Sequence, residues 1–107
     1  MINLYLIVNL IEDPIGFTVH SPNKPDGFTL YDLDNYSDGL VISTALRAIS
    51  ESQSIKLEIR AVDGVKLGAV LKIFNALIKY KGDLQVSFTG NHSQVEKMLR
   101  RLPISQS

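Results

Sequence analysis

The chain has 107 residues, of which 45% are hydrophobic, and its eleven basic and eleven acidic side chains give a formal net charge of zero. This length fits one domain over residues 1–107, and the apolar content is typical of a folded protein. The absence of cysteine excludes disulfides and cysteine-based metal sites, and the balanced charge disfavours nucleic-acid binding, which normally needs a basic excess.

The first third of the chain is predicted to form three short strands. Apolar residues alternate with other residues in each of them, which is the period of a β-strand. In the third strand, Phe28 and Leu30 fall on one side. Prolines and an Asp-Gly pair separate the second strand from the third. The strands are predicted over residues 2–11, 15–20 and 28–33.

The rest of the chain alternates helices with strands. Three stretches carry apolar residues at positions i, i+3, i+4 and i+7, the pattern of an amphipathic helix. Gly82 is predicted to end the second helix, and Ser93 with Glu96 forms a capping box for the third. The helices are predicted around residues 42–49, 67–78 and 95–102, and the strands around residues 55–60 and 84–89.

These elements predict an α/β fold in the order β-β-β-α-β-α-β-α. The last two strands are apolar on one face only, which predicts that the sheet carries helices on one face. Right-handed crossovers place the connecting helices on the same face if successive strands step across the sheet in one direction. We therefore expect a two-layer domain with a mixed sheet of about five strands and three helices mainly on one face.

The zero net charge is the sum of an acidic part of the chain and a basic part. Residues 1–65 hold nine acids and four bases, whereas residues 66–107 hold two acids and seven bases. This split is consistent with a bipolar surface that steers a charged partner, and also with ordinary solvated faces of amphipathic elements. The apolar start of the chain has no basic flank and is shorter than the 20 or so residues that a spanning helix needs. We expect a cytoplasmic protein without membrane insertion.

No sequence motif indicates catalysis or metal binding. His20 and His92 lie on different predicted elements, and the spacing of Asp32, Asp34 and Asp38 does not match a calcium loop. No serine lies in a Gly-x-Ser-x-Gly elbow, and no glycine-rich phosphate loop is present. We therefore expect no enzyme activity, no metal and no cofactor.

The junction at residues 61–68 connects a strand to the longest amphipathic helix. Asp63 and Gly64 suit a tight turn, and Asp63 could cap the helix that follows. Helix starts after parallel strands are common sites for ligands or partners. Plain capping explains the same residues, so both interpretations stay open.

From about residue 28 onward, the chain resembles a STAS domain, the family of anti-sigma-factor antagonists and sulfate-transporter tails. Asp63, Leu67 and Gly68 match the family's Asp-Ser-Ser/Thr-Gly-Leu-Gly signature. The resemblance covers about three quarters of the chain, and four stretches carry it: Leu33-Asp34 before the first helix, the strand at 55–60, the junction at 62–71, and the closing strand and helix at 82–99.

The chain departs from the family at the positions that a kinase would modify. The two hydroxyl positions of the signature fall on Gly64 and Val65, and its glycine falls on Lys66. Neither Gly64 nor Val65 can accept the phosphate that switches other members between states. The resemblance therefore implies a constitutive regulatory or scaffold protein of bacterial type, without the phosphorylation switch.

The resemblance also implies where a partner binds. That partner would be another protein, such as an anti-sigma kinase or a subunit of a complex. We expect Asp63 to fix the turn, Gly64 to permit it, and Val65 and Lys66 to contact the partner. Lys72 and Asn75 are added because they lie on the exposed side of the predicted helix. The full partner-binding set is Asp63, Gly64, Val65, Lys66, Leu67, Leu33, Asp34, Lys72 and Asn75.

A second family resembles the same stretch. The periplasmic domain of ExbD and TolR proteins has an Ile-Arg-Ala-Asp strand before a Tyr-Gly-x-Val helix start. Those proteins carry an N-terminal membrane helix, which is not expected here, and tend to end in a strand. The matching residues are Ile59, Arg60, Ala61, Asp63, Gly68 and Val70.

Two further alternatives come from the sheet itself. A small-molecule-binding or enzymatic domain could use the polar face of the sheet. A homodimer could form through the first strand if that strand lies at an edge, because unprotected edges invite pairing. The polar face would present Lys56, Glu58, Arg60, Gln85, Ser87 and Thr89.

Overall fold

The computed structural model describes residues 2–11 and 24–105. Within them the element order is β-β-α-β-α-β-α, which confirms the α/β class and the three predicted helices. The predicted strand over 15–20 and His20 lie outside the described residues. No described helix has the length and apolar character needed to cross a membrane. The elements are β1 (Ile2–Leu10), β2 (Phe28–Asp34), α1 (Gly39–Glu51), β3 (Ser52–Ala61), α2 (Val70–Ile78), β4 (Asp83–Gly90) and α3 (Ser93–Leu99).

The described strands form one sheet in the order β2-β1-β3-β4. All three pairings are parallel, so the prediction of a mixed sheet is wrong for these strands. β1 lies between β2 and β3 and runs parallel to both of them. Its Ile7 is only 2% exposed although it faces away from the helices, and burial on both faces is typical of a central parallel strand. Because both edges of β1 are paired, it cannot be the edge strand of a homodimer.

All three helices pack on the same face of the sheet. The chain passes from β2 through α1 to β3 and then through α2 to β4, so both crossovers step in one direction across the sheet. Right-handed crossovers of this kind leave their helices on one face, as the sequence predicted. The core between the layers includes the apolar side of α2, with Ile73, Phe74 and Leu77, together with Leu6 and Leu57 of the central strands.

Phe28 and Leu30 lie on one side of β2, as predicted, and that side faces away from the helices, whereas Leu33 of the same strand is buried beneath them. The predicted end of the second helix differs from the structure. Gly82 does not end α2, whose C-terminal cap is Lys79. A side chain on Gly82 would instead collide with the Tyr80 hydroxyl, so this glycine makes room for the tyrosine ring.

Gly90 ends β4 in a conformation that requires glycine. Its φ is +107°, and a Cβ atom there would collide with the Ala61 carbonyl of the neighbouring strand. We predict that Gly90→Ala lowers the free energy of unfolding by about 1–3 kcal/mol, measured by urea denaturation. The control is Gly39→Ala, because no atom lies within 4 Å of a Cβ built there. This control is expected to stay within about 1 kcal/mol of the wild type, and an equal loss in both variants would contradict the assignment.

Candidate functional site

The described strands are parallel, so their carboxyl ends meet at one edge of the sheet, the carboxyl edge. The loops at this edge are residues 35–38, 62–69 and 91–92. The chain goes from β1 to β2 on one side and from β3 to β4 on the other, so the strand order reverses between β1 and β3. Ligands of open α/β sheets bind beside the carboxyl ends of the strands at such a reversal.

The loop after β3 begins with a tight turn. Gly64 has a φ of +92°, which favours glycine, and the Val65 N–H donates to the Val62 carbonyl at 3.4 Å. The structure therefore agrees that Gly64 permits the turn. The helix α2 begins only at Val70, and its N-terminal cap, Ala69, makes no side-chain hydrogen bond. The prediction that an aspartate caps this helix is wrong, because four loop residues, 66–69, separate the turn from the helix.

Two side chains bind the loop after β3 to the start of α3, and we call these contacts the loop clamp. Asp63 Oδ1 accepts a hydrogen bond from the Ser93 N–H at 3.0 Å. His92 is only 6% exposed, and its Nδ1 accepts from the Val95 N–H at 3.3 Å. Because Nδ1 is an acceptor, the neutral ring carries its proton on Nε2, which lies 2.7 Å from the Val65 carbonyl oxygen and donates to it. His92, not Ser93, is therefore the N-terminal cap of α3.

The loop after β2 is held by aspartates. Asp34 Oδ1 accepts from the Tyr36 N–H at 2.8 Å, and the Asp34 N–H donates to Ser37 Oγ at 3.0 Å. Asp38 caps α1 by accepting from the Val41 N–H at 2.9 Å. These carboxylates satisfy backbone donors of the loop and the helix start. Nowhere in residues 2–11 and 24–105 do three His, Asp or Glu side chains come together in a group that could hold a metal ion.

The loops after β2 and β3 lie against each other. A Cβ atom at Gly68 would lie only 3.3 Å from the Asn35 carbonyl oxygen. Large apolar side chains are exposed on these loops and on the first turn of α1; Leu40 is 78% exposed and Tyr36 is 72% exposed. We call the four exposed apolar residues of the loops and of the first turn of α1 the edge patch: Tyr36, Leu40, Val41 and Val62.

The residues of the edge patch are not among the partner-binding residues predicted from the sequence. A usable signal was present, because Leu40 and Val41 precede the apolar stripe of α1 that begins at Ile42 and do not belong to it. Apolar residues beside such a stripe point to solvent unless another element covers them.

The predicted partner-binding residues divide by exposure. Leu33, Val65 and Leu67 are buried in the core between the helices and the sheet. The expectation that Val65 contacts a partner is therefore corrected, because its side chain has almost no accessible surface. Contact with a partner stays a prediction for the exposed members, which are Asp34, Asp63, Gly64, Lys66, Lys72 and Asn75.

The face of the sheet opposite the helices, the open face, carries a polar network. The Tyr5 hydroxyl donates to a Glu58 carboxylate oxygen at 2.5 Å, and Arg60 pairs with the other oxygen at 2.9 Å. The hydrogen bond to Glu58 is the main reason that the pKa of the Tyr5 phenol is raised. The Lys56 ammonium lies 5.5 Å from the centre of the Phe28 ring, within the range of a cation–π contact.

The open face has a depression of about 350 Å³ that is widely open to solvent. Its volume falls at the lower end of ligand pockets, but its open shape would leave much of a bound molecule in water. The residues of the polar network and the neighbouring part of β4 line it: Tyr5, Lys56, Leu57, Glu58, Gln85, Val86 and Ser87.

A second hydrogen-bonded pair on the open face involves Asp32. Its carboxylate accepts from the Asn9 side-chain amide at 2.8 Å. Lost hydration raises the pKa of the Asp32 carboxyl, and the hydrogen bond from Asn9 partly opposes that rise. Asp34 nearby adds to the rise through charge repulsion.

This raised pKa predicts a pH-dependent effect of Asp32→Asn. The folded protein holds the Asp32 proton more tightly than the unfolded chain does. The contribution of Asp32 to the stability of the wild type is therefore present at low pH and is lost as the pH rises through the folded pKa. The unfolding free energy of the variant minus that of the wild type should therefore be larger at about pH 7 than at about pH 4. Urea denaturation at both pH values measures the difference, and an equal or reversed difference would contradict the account.

Comparisons with known proteins assign no family to this chain. No protein-family model, no curated protein and no solved structure matches it. The similarities to STAS domains and to ExbD and TolR proteins therefore rest on the residues quoted above.

Proposed function

We propose that the protein is a non-catalytic protein-interaction module of STAS-like type, and that its partner docks on the carboxyl edge. The edge patch is the observation that carries this proposal. Six large hydrophobic side chains are exposed in the part of the chain that the structure describes, and four of them belong to the edge patch. The other two, Leu30 and Ile104, lie elsewhere.

The chemistry of the edge patch suits a protein partner better than a small polar ligand. Tyr36, Leu40 and their neighbours offer exposed apolar area, and exposed clusters of this kind mark interaction sites. Exposed polar groups, including Asp63 and Lys66, stand beside the apolar residues. An apolar centre with a polar rim is the usual anatomy of a protein interface.

The loop clamp supports a constitutive binding surface. The buried His92 and the Asp63 carboxylate hold the loop after β3 in one arrangement. Gly64 and Val65 stand where the STAS signature has its hydroxyl groups, so phosphorylation cannot add charge to this turn. The proposed partner, an anti-sigma kinase or a subunit of another complex, would therefore bind without that switch.

The order of elements bears on the alternative ExbD/TolR-like assignment. The helix α3 follows β4 here, whereas ExbD and TolR domains tend to end in a strand. This order favours the STAS-like assignment, and the edge patch would serve as a binding surface under either one.

A small-molecule-binding or enzymatic function on the open face is the second candidate. The depression beside Tyr5, Lys56 and Glu58 favours it, because it brings a hydroxyl, an ammonium and a carboxylate together. Its wide opening is the reason that we place this candidate second.

The test compares charge substitutions inside and outside the edge patch. Leu40→Asp places a carboxylate in the first turn of α1, where the helix dipole favours it, so the fold should persist. The control is Ile104→Asp, which changes an exposed apolar side chain (43% accessible) outside the patch. We predict that Leu40→Asp reduces recovery of the bound partner at least about tenfold in affinity purification with quantitative mass spectrometry, the loss expected when a central contact is removed.

Circular dichroism and urea denaturation must show that both variants fold as the wild type does. Under that condition, equal recovery of all partners with Leu40→Asp and Ile104→Asp would contradict docking on the edge patch. A small molecule that co-purifies with the wild type and is lost on Lys56→Ala would support the second candidate instead.

A further inference from the structure

Most of the outer edge of β4 has no backbone partner among the residues that the structure describes. This strand ends the sheet, because only β3 pairs with it among the described strands. Its inner edge is fully paired from Asp83 to Gly90. Unpaired backbone groups of this strand can therefore lie only on its outer edge.

Three hydrogen bonds determine which residues of β4 point outward. The Asn91 N–H donates to the Ala61 carbonyl at 3.0 Å, so odd-numbered residues of this segment face β3. Leu84 faces the other way, because its N–H donates to Ser105 Oγ at 3.1 Å and its carbonyl accepts from the Ser105 N–H at 2.8 Å. Backbone groups alternate along a strand, so the N–H and C=O groups of Val86 and Phe88 also point outward. Across residues 2–11 and 24–105, neither residue has a hydrogen-bond partner on that side.

This edge lacks the features that usually prevent pairing. Residues 84–90 contain no charged side chain and no proline. Natural edge strands are commonly protected by charges, prolines or bulges. The opposite edge strand, β2, carries Asp32 and Asp34, so it is the better protected of the two.

The sequence of β4 is complementary to itself in one antiparallel register. If Val86 and Phe88 exchange hydrogen bonds with Phe88 and Val86 of a second copy, the two-fold axis passes Ser87. Val86 then lies opposite Phe88, a β-branched and aromatic pair on the helix side, where each residue is only partly buried in one copy. On the open face, Gln85 lies opposite Thr89, and the two Ser87 hydroxyl groups meet at the axis.

The same register explains where pairing ends. Leu84 lies opposite Gly90 of the second copy, and the backbone of Leu84 is already bound to Ser105. Gly90 has no side chain to collide with that segment. The contact is therefore confined to residues 85–89.

We propose that two copies of the chain associate through their β4 strands, antiparallel about Ser87, so that two four-stranded sheets become one continuous sheet. Four backbone hydrogen bonds join the copies, two from each of Val86 and Phe88 in one copy. A contact of this size predicts a dimer that dissociates on dilution. The proposal uses a surface other than the carboxyl edge, so it stands or falls independently of the proposed function.

Cysteine cross-linking tests the register directly, because the natural chain contains no cysteine. The Ser87→Cys variant places its single thiol at the two-fold axis, where side chains of a non-hydrogen-bonded pair are close enough for a disulfide. Mild oxidation should convert most of the protein to a covalent dimer at concentrations where sedimentation shows association. The matched control, Ser43→Cys, is exposed on α1 and should stay largely monomeric. Equal cross-linking of the two variants would overturn the proposal.

Charge substitutions at the axis provide a second test. Ser87→Lys and Ser87→Glu each place like charges opposite one another, so each variant alone should sediment as a monomer. An equal mixture should restore the dimer, because opposite charges then meet at the axis. A wild type that stays monomeric up to millimolar concentration would overturn the proposal. So would a dimer that neither substitution weakens, or binding of β4 to a strand of another protein in place of a second copy.

Discussion

The buried ring of His92 is the contact on which the arrangement of the carboxyl edge depends. One ring nitrogen accepts a hydrogen bond from the first turn of α3, and the other donates to the Val65 carbonyl in the loop after β3. A buried polar group without its partner costs about 1–3 kcal/mol, so both bonds must form together for the ring to be tolerated there. The neutral Nε2–H form of the ring satisfies both at once, and Asp63 adds a second link to the same helix.

This contact explains why the edge can present apolar side chains. Val65 and Leu67 face inward and belong to the core, so the loop after β3 is held by the core as well as by α3. The loop after β2 is ordered separately by Asp34 and Asp38. With both loops held by buried or local contacts, Tyr36 and Leu40 remain exposed without being needed for folding. The edge patch is therefore available for binding.

The periodicity of the sequence was sufficient for the helices and for the one-sided packing of the sheet. It was insufficient for the strand order, because the alternation in β1 resembles that of a one-sided strand although Ile7 is buried on the other face as well. The sequence also did not indicate which side of β2 faces the core, since Phe28 and Leu30 are as apolar as the buried Leu33. Apolar character alone does not say which face of an edge strand is covered.

Only part of the candidate site could be predicted from the sequence. The Asp63-Gly64 pair indicated the turn after β3, because this pair has a backbone preference that is readable locally. The roles of Val65 and His92 could not be read locally, since the two residues meet only after β4 brings α3 back to the loop. Exposure and burial at this edge depend on contacts between segments almost thirty residues apart.

Nuclear magnetic resonance of the imidazole nitrogens tests the central role of His92 most directly. The variant His20→Gln leaves His92 as the single histidine, so its ring signals need no further assignment. The loop clamp predicts that the ring carries a proton on Nε2 and none on Nδ1, and that the one-bond coupling between Nε2 and its hydrogen survives because the site is shielded from water. A proton on Nδ1, or a ring that averages rapidly between forms, would contradict the loop clamp.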